Sequence, residues 1–415
     1  MTVRFSAGGR RSATFAALRY PNYRRWFTGQ VLSLGGSWMQ SVAQGWLVYQ
    51  MTGSSLALGA ITAAGTIPTI FLMLPAGAIT DRVSKRRLMM ITQVVMMISA
   101  LLLAALTWLK VLQVWQIAVL ACVSGIAQSF DAPARLALTP NLVEDRADLQ
   151  NAIAMNAMMF NLARVAGPAI GGLVLASMGA AWCFLINGLS FLAVLIALAG
   201  MTLPGDVGNP PSNRRILAEI GDGLRYVWHQ PVVRTLVALI GVTSIFGFSY
   251  SVLLPAYATE VLKVDAKGYG LLNAAVGIGA LVGSLTVASL SRWKSKGVQL
   301  TVGSLAFPLA LLIFAATRSY QLALLCLAGA GLSFVIQNAT ANTIIQLSAP
   351  DALRGRVMSV YTLFFFGSTP VGAMFAGAVA QRWNSTAAIV LGASVALAFA
   401  LAVVFVVPAV RKAQF

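Results

Sequence analysis

Long apolar stretches separated by short polar connections run along the whole chain. Twelve of these stretches reach about 18 residues, the length of helix that crosses roughly 30 Å of hydrocarbon. Only a few residues separate several neighbours, so consecutive helices must run antiparallel. The pattern predicts an all-α integral membrane protein. Its twelve transmembrane helices are expected to begin near Trp26, Ser55, Leu88, Val114, Asn151, Ala181, Val232, Tyr269, Val298, Gln321, Val357 and Ser385.

The hydrophobicity falls between Pro204 and Gln230. We expect this segment, residues 204–230, to be a cytoplasmic linker between an N-terminal six-helix bundle, residues 1–203, and a C-terminal six-helix bundle, residues 231–415. Within the linker, apolar residues recur at helical spacing from Ile216 to Val227, with charged residues between them. This spacing is typical of a helix that lies on a membrane surface.

Three landmarks of the first half return in the second half in the same order. A repeat of this kind predicts two pseudo-symmetric bundles that arose by duplication. The matched pairs are residues 21–24 with 231–234, residues 131–135 with 338–342, and Pro168 with Pro370.

Composition and charge support a membrane location. The chain is 58% hydrophobic and only 10% charged, whereas a soluble domain has about 25% charged residues. Its formal net charge is +18, and most of the bases lie in the two tails and in connections that share one side of an antiparallel bundle. This bias predicts a multi-pass protein of the cell membrane with both termini in the cytoplasm. It also explains the positive charge without a nucleic-acid partner. The bases in connections on the other side are Lys110, Lys263, Lys267, Arg318 and Arg382.

The connection after the second apolar stretch combines one acid with four bases. It resembles the loop signature of the major facilitator superfamily, although Ser84 stands where glycine is usual. The residues that carry the resemblance are Gly77, Asp81, Arg82, Lys85 and Arg86. The resemblance implies a major facilitator fold in which Asp81 caps the start of the eleventh helix, near Val357 to Ser359, and acts as a conformational latch.

The fifth stretch contains a proline among glycines and resembles the antiporter signature of exporting branches of the superfamily. Small residues let two helices approach closely, and proline bends a helix. The resemblance implies that the fifth helix meets the eighth, where Gly279 and Gly283 would supply a complementary pair. Generic small-residue packing is the alternative. The residues of the motif are Gly167, Pro168, Gly171 and Gly172.

Three ionisable residues lie inside predicted helices: Asp131 and Arg135 in the fourth, and Arg164 in the fifth. Ionisable residues at such a depth are candidate functional residues. Asp131 and Arg135 share one helix face through their i,i+4 spacing, and Asp131 is the nearest candidate anion for Arg164. Either Asp131 takes up and releases a proton during transport, or the three residues form a permanent cluster that orients helices or contacts substrate.

Polar residues in the first, fourth, seventh and tenth stretches are candidates for a substrate cavity, because the resemblance implies that these four helices line it. Trp38, Trp46, Phe246 and Phe248 would supply aromatic walls. This mixture suits an amphipathic organic solute better than a bare ion. Helix packing alone is the alternative for each residue. The polar candidates are Gln40, Gln44, Gln128, Tyr250, Gln337, Asn338 and Asn342.

The segment that follows the tenth stretch contains Arg354, Gly355 and Arg356. It resembles the branch of the superfamily that holds the enterobactin exporter and the drug:proton antiporters. The resemblance implies a secondary transporter that exports small organic molecules, drug-like or siderophore-like, by alternating access and in exchange for protons. An importer or symporter on the same fold and a non-transporting receptor or scaffold are the alternatives.

The expected partners are a small-molecule substrate, protons and the lipid bilayer, and the expected oligomeric state is a monomer. Eleven acidic residues and one histidine assemble no catalytic constellation. We therefore expect no enzymatic activity, no cofactor and no metal site.

Overall fold

The computed structural model describes residues 13–201, 216–290 and 295–407. Within these ranges the chain is helical and contains no β-strand. The α-helices are α1 (Pro21–Thr52), α2 (Ser55–Arg82), α3 (Lys85–Trp108), α4 (Val114–Leu138), α5 (Arg146–Met178), α6 (Ala180–Ala199), α7 (Ile216–His229), α8 (Pro231–Val242), α9 (Tyr250–Glu260), α10 (Ala266–Ser289), α11 (Lys296–Ala316), α12 (Tyr320–Ser348), α13 (Asp351–Arg382) and α14 (Ser385–Val406).

Local sequence explains where many helices begin and end. Pro21 and Pro231, which the repeat matches, hold the first positions of α1 and α8, where the fixed φ and the missing N–H cost nothing. Gly53 follows α1 with a φ of 56°, in the left-handed region that favours glycine. Several other helices begin with a side chain that accepts a backbone hydrogen bond. These capping residues are Ser54, Ser84, Asp145, Asp265, Ser319 and Asn384.

Eleven segments of the described ranges are long and apolar enough to cross a membrane. One of them, Pro231–Glu260, contains both α8 and α9 and is the seventh predicted crossing. The twelfth helix of this length is α1, with 32 residues. It is more polar than the others, because Gln30, Gln40 and Gln44 interrupt its apolar sequence. It nevertheless packs between α5 and α6 in the bundle.

The membrane helices form two groups, which we call the first half (α1–α6) and the second half (α8–α14). In the first half α1 packs against α5 and α6, and α4 packs against α2 and α3. In the second half α12 packs against α10 and α11. The halves meet where α2 contacts α13 and where α5 contacts α10. The boundary expected at residues 203–204 lies outside the described residues. The helix predicted at residues 216–229 is α7, and it packs against α13 and α8.

The seventh crossing is interrupted, which the apolar pattern does not predict. One π-helical turn, Thr243–Gly247, lies between α8 and α9. Other helices come very close to its main chain: a Cβ on Gly372 would lie 2.6 Å from the carbonyl oxygen of Ile245. Turns of this kind are frequent at functional positions in helices. Hydropathy does not change along the break, so only the packing of α13 and α14 reveals it.

The bundle has two ends, which we name by their charge. The basic end holds the start of α1, the connection between α2 and α3, and the connection between α12 and α13. The opposite end holds the connections between α1 and α2, between α9 and α10, and between α13 and α14.

Candidate transport site

A cavity of about 580 Å³ lies between the two halves. Gln40, Gln44 and Gln128 line it, as the sequence predicts, together with the aromatic side chains of Trp38 and Phe248. The apolar part of the wall comes mainly from α1, α2 and α9. A volume of this size and a mostly apolar wall with a few polar groups are typical of sites for small organic ligands.

The other four polar candidates do not line this cavity. Tyr250 is only 3% exposed and packs against the rings of Phe248 and Phe307. Gln337 donates a hydrogen bond to the Thr243 hydroxyl at 2.9 Å. Asn338 and Asn342 accept hydrogen bonds from side chains of the second half. The prediction that these four residues face the cavity is therefore wrong, because their side chains are packed or hydrogen-bonded away from its wall.

Two of the four aromatic residues that were expected to line the cavity also lie elsewhere. Trp46 is nearly buried and stacks on Tyr269 at a ring distance of 5.4 Å. Phe246 lies in the π turn and contacts Phe375 edge to face at 5.0 Å. Only Trp38 and Phe248 of the four predicted aromatic residues line the cavity.

Sequence reasoning missed Asn187, which lines the cavity from α6. Its side-chain amide donates a hydrogen bond to Gln40 at 2.7 Å and so fixes the orientation of that glutamine. The available signal was an asparagine in the middle of an otherwise apolar stretch, where a polar group needs a partner.

Hydrogen bonds join the two halves at the opposite end. The Tyr49 hydroxyl donates a hydrogen bond to Glu260 across the boundary, and Ser385 donates a second one to the same carboxylate at 3.0 Å. Ser54 and Gln381 form another bond between the halves at 2.8 Å. Hydropathy alone gives no signal for these pairs, because each residue lies at the end of a different crossing.

Glycines bring the helices together at the same end. A Cβ on Gly172 would lie 2.7 Å from the Cα of Gly270, where α5 crosses α10. The predicted contact between the fifth and eighth crossings, α5 and α10, is present. The residue of α10 that packs against Gly172 is Gly270. Gly279 and Gly283 instead face Ala328 and Leu332 of α12. The prediction that Gly279 and Gly283 pack against α5 is wrong, because α10 has small residues on two faces and these two lie on the face towards α12.

The remainder of the glycine motif packs inside the first half. A Cβ on Gly167 would lie 2.6 Å from the Cβ of Trp38, and one on Gly171 would lie 3.0 Å from the Cα of Met39. Both contacts join α5 to α1. Pro168 presents its carbonyl oxygen to Gly270, so the motif connects the cavity-lining helix α1 with the second half.

Comparisons with known proteins give this arrangement a family. A family model described as transmembrane secretion effector matches residues 12–414. The chain belongs to this secretion effector family of the major facilitator superfamily. The multidrug efflux pump Tap of Mycolicibacterium fortuitum is 30% identical to it, over 83% of this chain and 86% of the relative. The enterobactin exporter EntS of Escherichia coli O1:K1 / APEC is 26% identical, over 89% of this chain and 87% of the relative.

Solved structures show the same fold at low sequence identity. A POT family transporter in complex with 5-aminolevulinic acid has a TM-score of 0.76 and 13% identity, over 94% of this chain and 96% of that one. A bacterial homologue of the human lysosomal transporter Spinster, solved in an inward-facing and unoccupied conformation, has a TM-score of 0.70 and 14% identity. That likeness covers 98% of both chains.

In this secretion effector, Asp131 has neutral partners. Its carboxylate is 2% exposed and accepts hydrogen bonds from Thr92 at 3.1 Å and from Gln93 at 2.9 Å, both on α3. It forms no ion pair with Arg135, Arg164 or any other base in the described part of the chain. The expected pairing of these charges is wrong, because the Asp131 carboxylate points towards α3.

Arg164 occupies a different environment. It lies halfway along α5, where a Cβ on Gly277 of α10 would be 2.7 Å from its carbonyl oxygen. Its guanidinium is close enough to the Tyr250 hydroxyl for the two groups to interact electrostatically. Arg164 therefore faces the second half, whereas Asp131 is hydrogen-bonded to α3 of the first half.

The predicted latch is described only in part. The Asp81 side chain lies outside the described residues, so its proposed contact stays a prediction. Gly77 and Arg82 lie in the last turns of α2, and Arg86 donates a hydrogen bond to the Ala199 carbonyl at 2.9 Å. Lys85 is the first residue of α3.

The expected position of the latch cap needs correction. The eleventh crossing, α13, begins at Asp351 and not near Val357. Val357 to Ser359 therefore lie in the second and third turns, beyond the roughly four unpaired N–H groups of a helix start. A carboxylate that caps α13 would have to reach its first turn.

The arginines after the tenth crossing hold α7 and α13 in place. Arg354 pairs with Asp351 at 2.5 Å and donates to the Gln346 carbonyl at 3.0 Å. Arg356 pairs with Asp222 of α7 at 2.7 Å. Gly355 lies between them and leaves open space where a side chain would be.

Proposed function

We propose that this secretion effector exports small organic molecules from the cytoplasm by alternating access. The observation that carries the proposal is the cavity of about 580 Å³ between the halves, with Gln40, Gln44 and Gln128 in its wall. Relatives named as a multidrug efflux pump and an enterobactin exporter support export. The cavity draws on both halves of a single chain, which supports a monomer as the working unit.

The distribution of basic residues indicates how the protein is oriented in the membrane. Because cytoplasmic connections of membrane proteins are enriched in lysine and arginine, we assign the basic end to the cytoplasm. The hydrogen bonds between described residues of the two halves then close the extracytoplasmic side. This structure would be the state that loads substrate from the cytoplasm, and the inward-facing Spinster homologue supports that assignment.

Proton exchange is the proposed energy source, with Asp131 as the proton carrier. A buried carboxylate that has only neutral partners can gain a proton without breaking an ion pair, and the proton removes the cost of a buried charge. Gln93 donates to Asp131 while its own amide oxygen accepts no hydrogen bond from the residues that the structure describes. A protonated Asp131 could supply a donor to that side chain.

The decisive test is transport of a panel of antibiotics and siderophores into inverted membrane vesicles with an imposed pH gradient. We expect the native protein to accumulate at least one compound, and Asp131→Asn to lose gradient-driven accumulation while it still performs substrate exchange. Asp222→Asn is the matched control, because that acid lies on α7 outside the membrane helices.

Each alternative outcome has a clear meaning. Accumulation against a gradient by Asp131→Asn would exclude Asp131 as the proton carrier. Proton-driven uptake only in right-side-out vesicles would show a symporter. A native protein that moves no compound in either direction, in a panel that its purified form binds, would indicate a receptor.

A further inference from the structure

A second cavity, of about 460 Å³, lies at the basic end of the first half between α1, α4 and α5. Its wall is mainly apolar, with Leu34, Leu136 and Met159 among the lining side chains. Arg135, Thr139 and Asn156 supply the polar part. The proposed transport cycle leaves this cavity without a role, although its volume suits a small organic ligand.

Arg135 is the only charged residue among those that line this cavity. It is half-buried and forms no ion pair with a carboxylate of the described residues. Asp131, one turn earlier on α4, is already bonded to Thr92 and Gln93. A guanidinium in an apolar wall at membrane depth needs an anion or water to offset its desolvation.

A second polar group in the same wall lacks a partner. Trp26 lines the cavity and is fully buried, and its indole N–H has no acceptor among the described residues. Asn156 and Thr139, by contrast, bond to each other at 3.0 Å. Because the Trp26 indole N–H is fully buried, the free donors that a solute can reach are those of the Arg135 guanidinium, and an anionic oxygen would satisfy them.

The second cavity adjoins the central one. Phe160, in its wall, contacts Trp38 of the central cavity edge to face at a ring distance of 6.0 Å. On the other side, Leu136 is 72% exposed and Ile153 is 57% exposed. An amphipathic solute could therefore reach the second cavity first and meet the Trp38–Phe160 pair on its way inwards.

We infer that the second cavity is an entry site for amphipathic organic anions, with a carboxylate or sulfonate on Arg135 and the apolar body against Leu34, Met159 and Phe160. This inference rests on the proposed export function, and it narrows the substrate class to molecules with one anionic group and an aromatic or aliphatic body. Charge-assisted hydrogen bonds to guanidinium are the strong class of such contacts.

The test is equilibrium binding of two fluorescent probes that differ only in charge, dansyl sulfonate and dansyl amide. The purified full-length protein is placed in nanodiscs of phosphatidylcholine, and binding is followed by energy transfer from tryptophan. We expect the sulfonate to bind about tenfold more tightly than the amide, the factor that one hydrogen bond to a charged group gives.

Variants assign that difference to the second cavity. Arg135→Gln should weaken the sulfonate about tenfold and leave the amide unchanged, which also reports that the variant is folded. Arg135→Lys should keep most of the preference. Arg234→Gln is the matched control, because this exposed arginine lies over Trp228 at the basic end of the other half. Ala157→Trp should abolish the tighter binding of the sulfonate, whereas Ser41→Trp, which fills the central cavity, should preserve it.

Several results would overturn the inference. One is equal affinity of the native protein for both probes, and another is loss of the sulfonate preference in Ser41→Trp and not in Ala157→Trp. If phosphatidylglycerol in the nanodisc displaces the sulfonate from the native protein but not from Arg135→Gln, the site belongs to a lipid headgroup. Binding needs no pH gradient, so a failure of vesicle transport would leave the binding result standing.

Discussion

Glu260 links the two halves at the opposite end of the bundle. It lies at the end of α9 and accepts hydrogen bonds from Tyr49 of the first half and from Ser385 of α14. The carboxylate is exposed to solvent, so each bond contributes about 1 kcal/mol at most. A contact between the halves that rests on such weak hydrogen bonds can break during each transport cycle.

Removing the Tyr49 hydroxyl should shift this balance. In Tyr49→Phe the loss of about 1 kcal/mol corresponds to roughly a fivefold change in the ratio of the two states. We expect faster labelling of a cysteine at Ser41, in the central cavity, by an impermeant maleimide added from the extracytoplasmic side. The background lacks the three native cysteines.

Tyr226→Phe is the control for this change. Its hydroxyl donates to the Ser348 carbonyl at 2.9 Å and joins α7 to the last residue of α12 at the basic end, so its loss should not alter the labelling rate. Equal rates for the native protein and Tyr49→Phe would show that the bond between Tyr49 and Glu260 does not hold the closed end.

At the level of helices, packing between the halves depends on backbone contact. Helices in lipid gain little from burying apolar side chains against each other, so small residues that allow close approach decide which helices associate. The crossing of α5 and α10 at Gly172 and Gly270 follows this rule. It joins the motif-bearing helix directly to the second half.

A larger side chain at this crossing should impair transport. Gly172→Val would place methyl groups where even a Cβ lies 2.7 Å from Gly270, and overpacking of this kind costs about 1–3 kcal/mol. We expect a lower melting temperature in detergent and loss of substrate accumulation in vesicles.

Gly35→Ala provides the comparison on α1, because a Cβ there meets nothing within 4 Å. It should keep the native melting temperature and transport. If Gly172→Val behaves like Gly35→Ala, the crossing of α5 and α10 tolerates separation, and its close contact is not needed for the cycle.

For the whole molecule, the distribution of charge sets the orientation in the membrane. The four bases of the α2–α3 connection and the two arginines after α12 lie at the same end of the bundle. Because the exposed basic end would be retained in the cytoplasm, the closed side of the bundle would face outwards.

Single cysteines at the two ends should report this orientation. In a background without native cysteines, Gln230→Cys at the basic end should react with an impermeant maleimide only in inverted vesicles. Val111→Cys at the opposite end should react only in right-side-out vesicles. The reverse pattern would invert the proposed direction of transport.

The sequence by itself determined the number and antiparallel order of the crossings, the amphipathic helix α7, and the basic end. It also pointed to the superfamily through the Gly77–Arg86 and Gly167–Gly172 motifs. These features depend on local composition, on motif spacing, and on the thickness of the bilayer, which fixes how many apolar residues make one crossing.

Only the tertiary structure decided which side of each helix faces which neighbour. Helices that are apolar on all sides carry no amphipathic signal for their rotation. Gln40, Gln44 and Gln128 therefore line the central cavity, whereas Gln337 and Tyr250, which were chosen from the same pattern, do not. For the same reason, three features could be seen only in the packed structure. They are the partners of Asp131, the pairing of Gly172 with Gly270, and the second cavity.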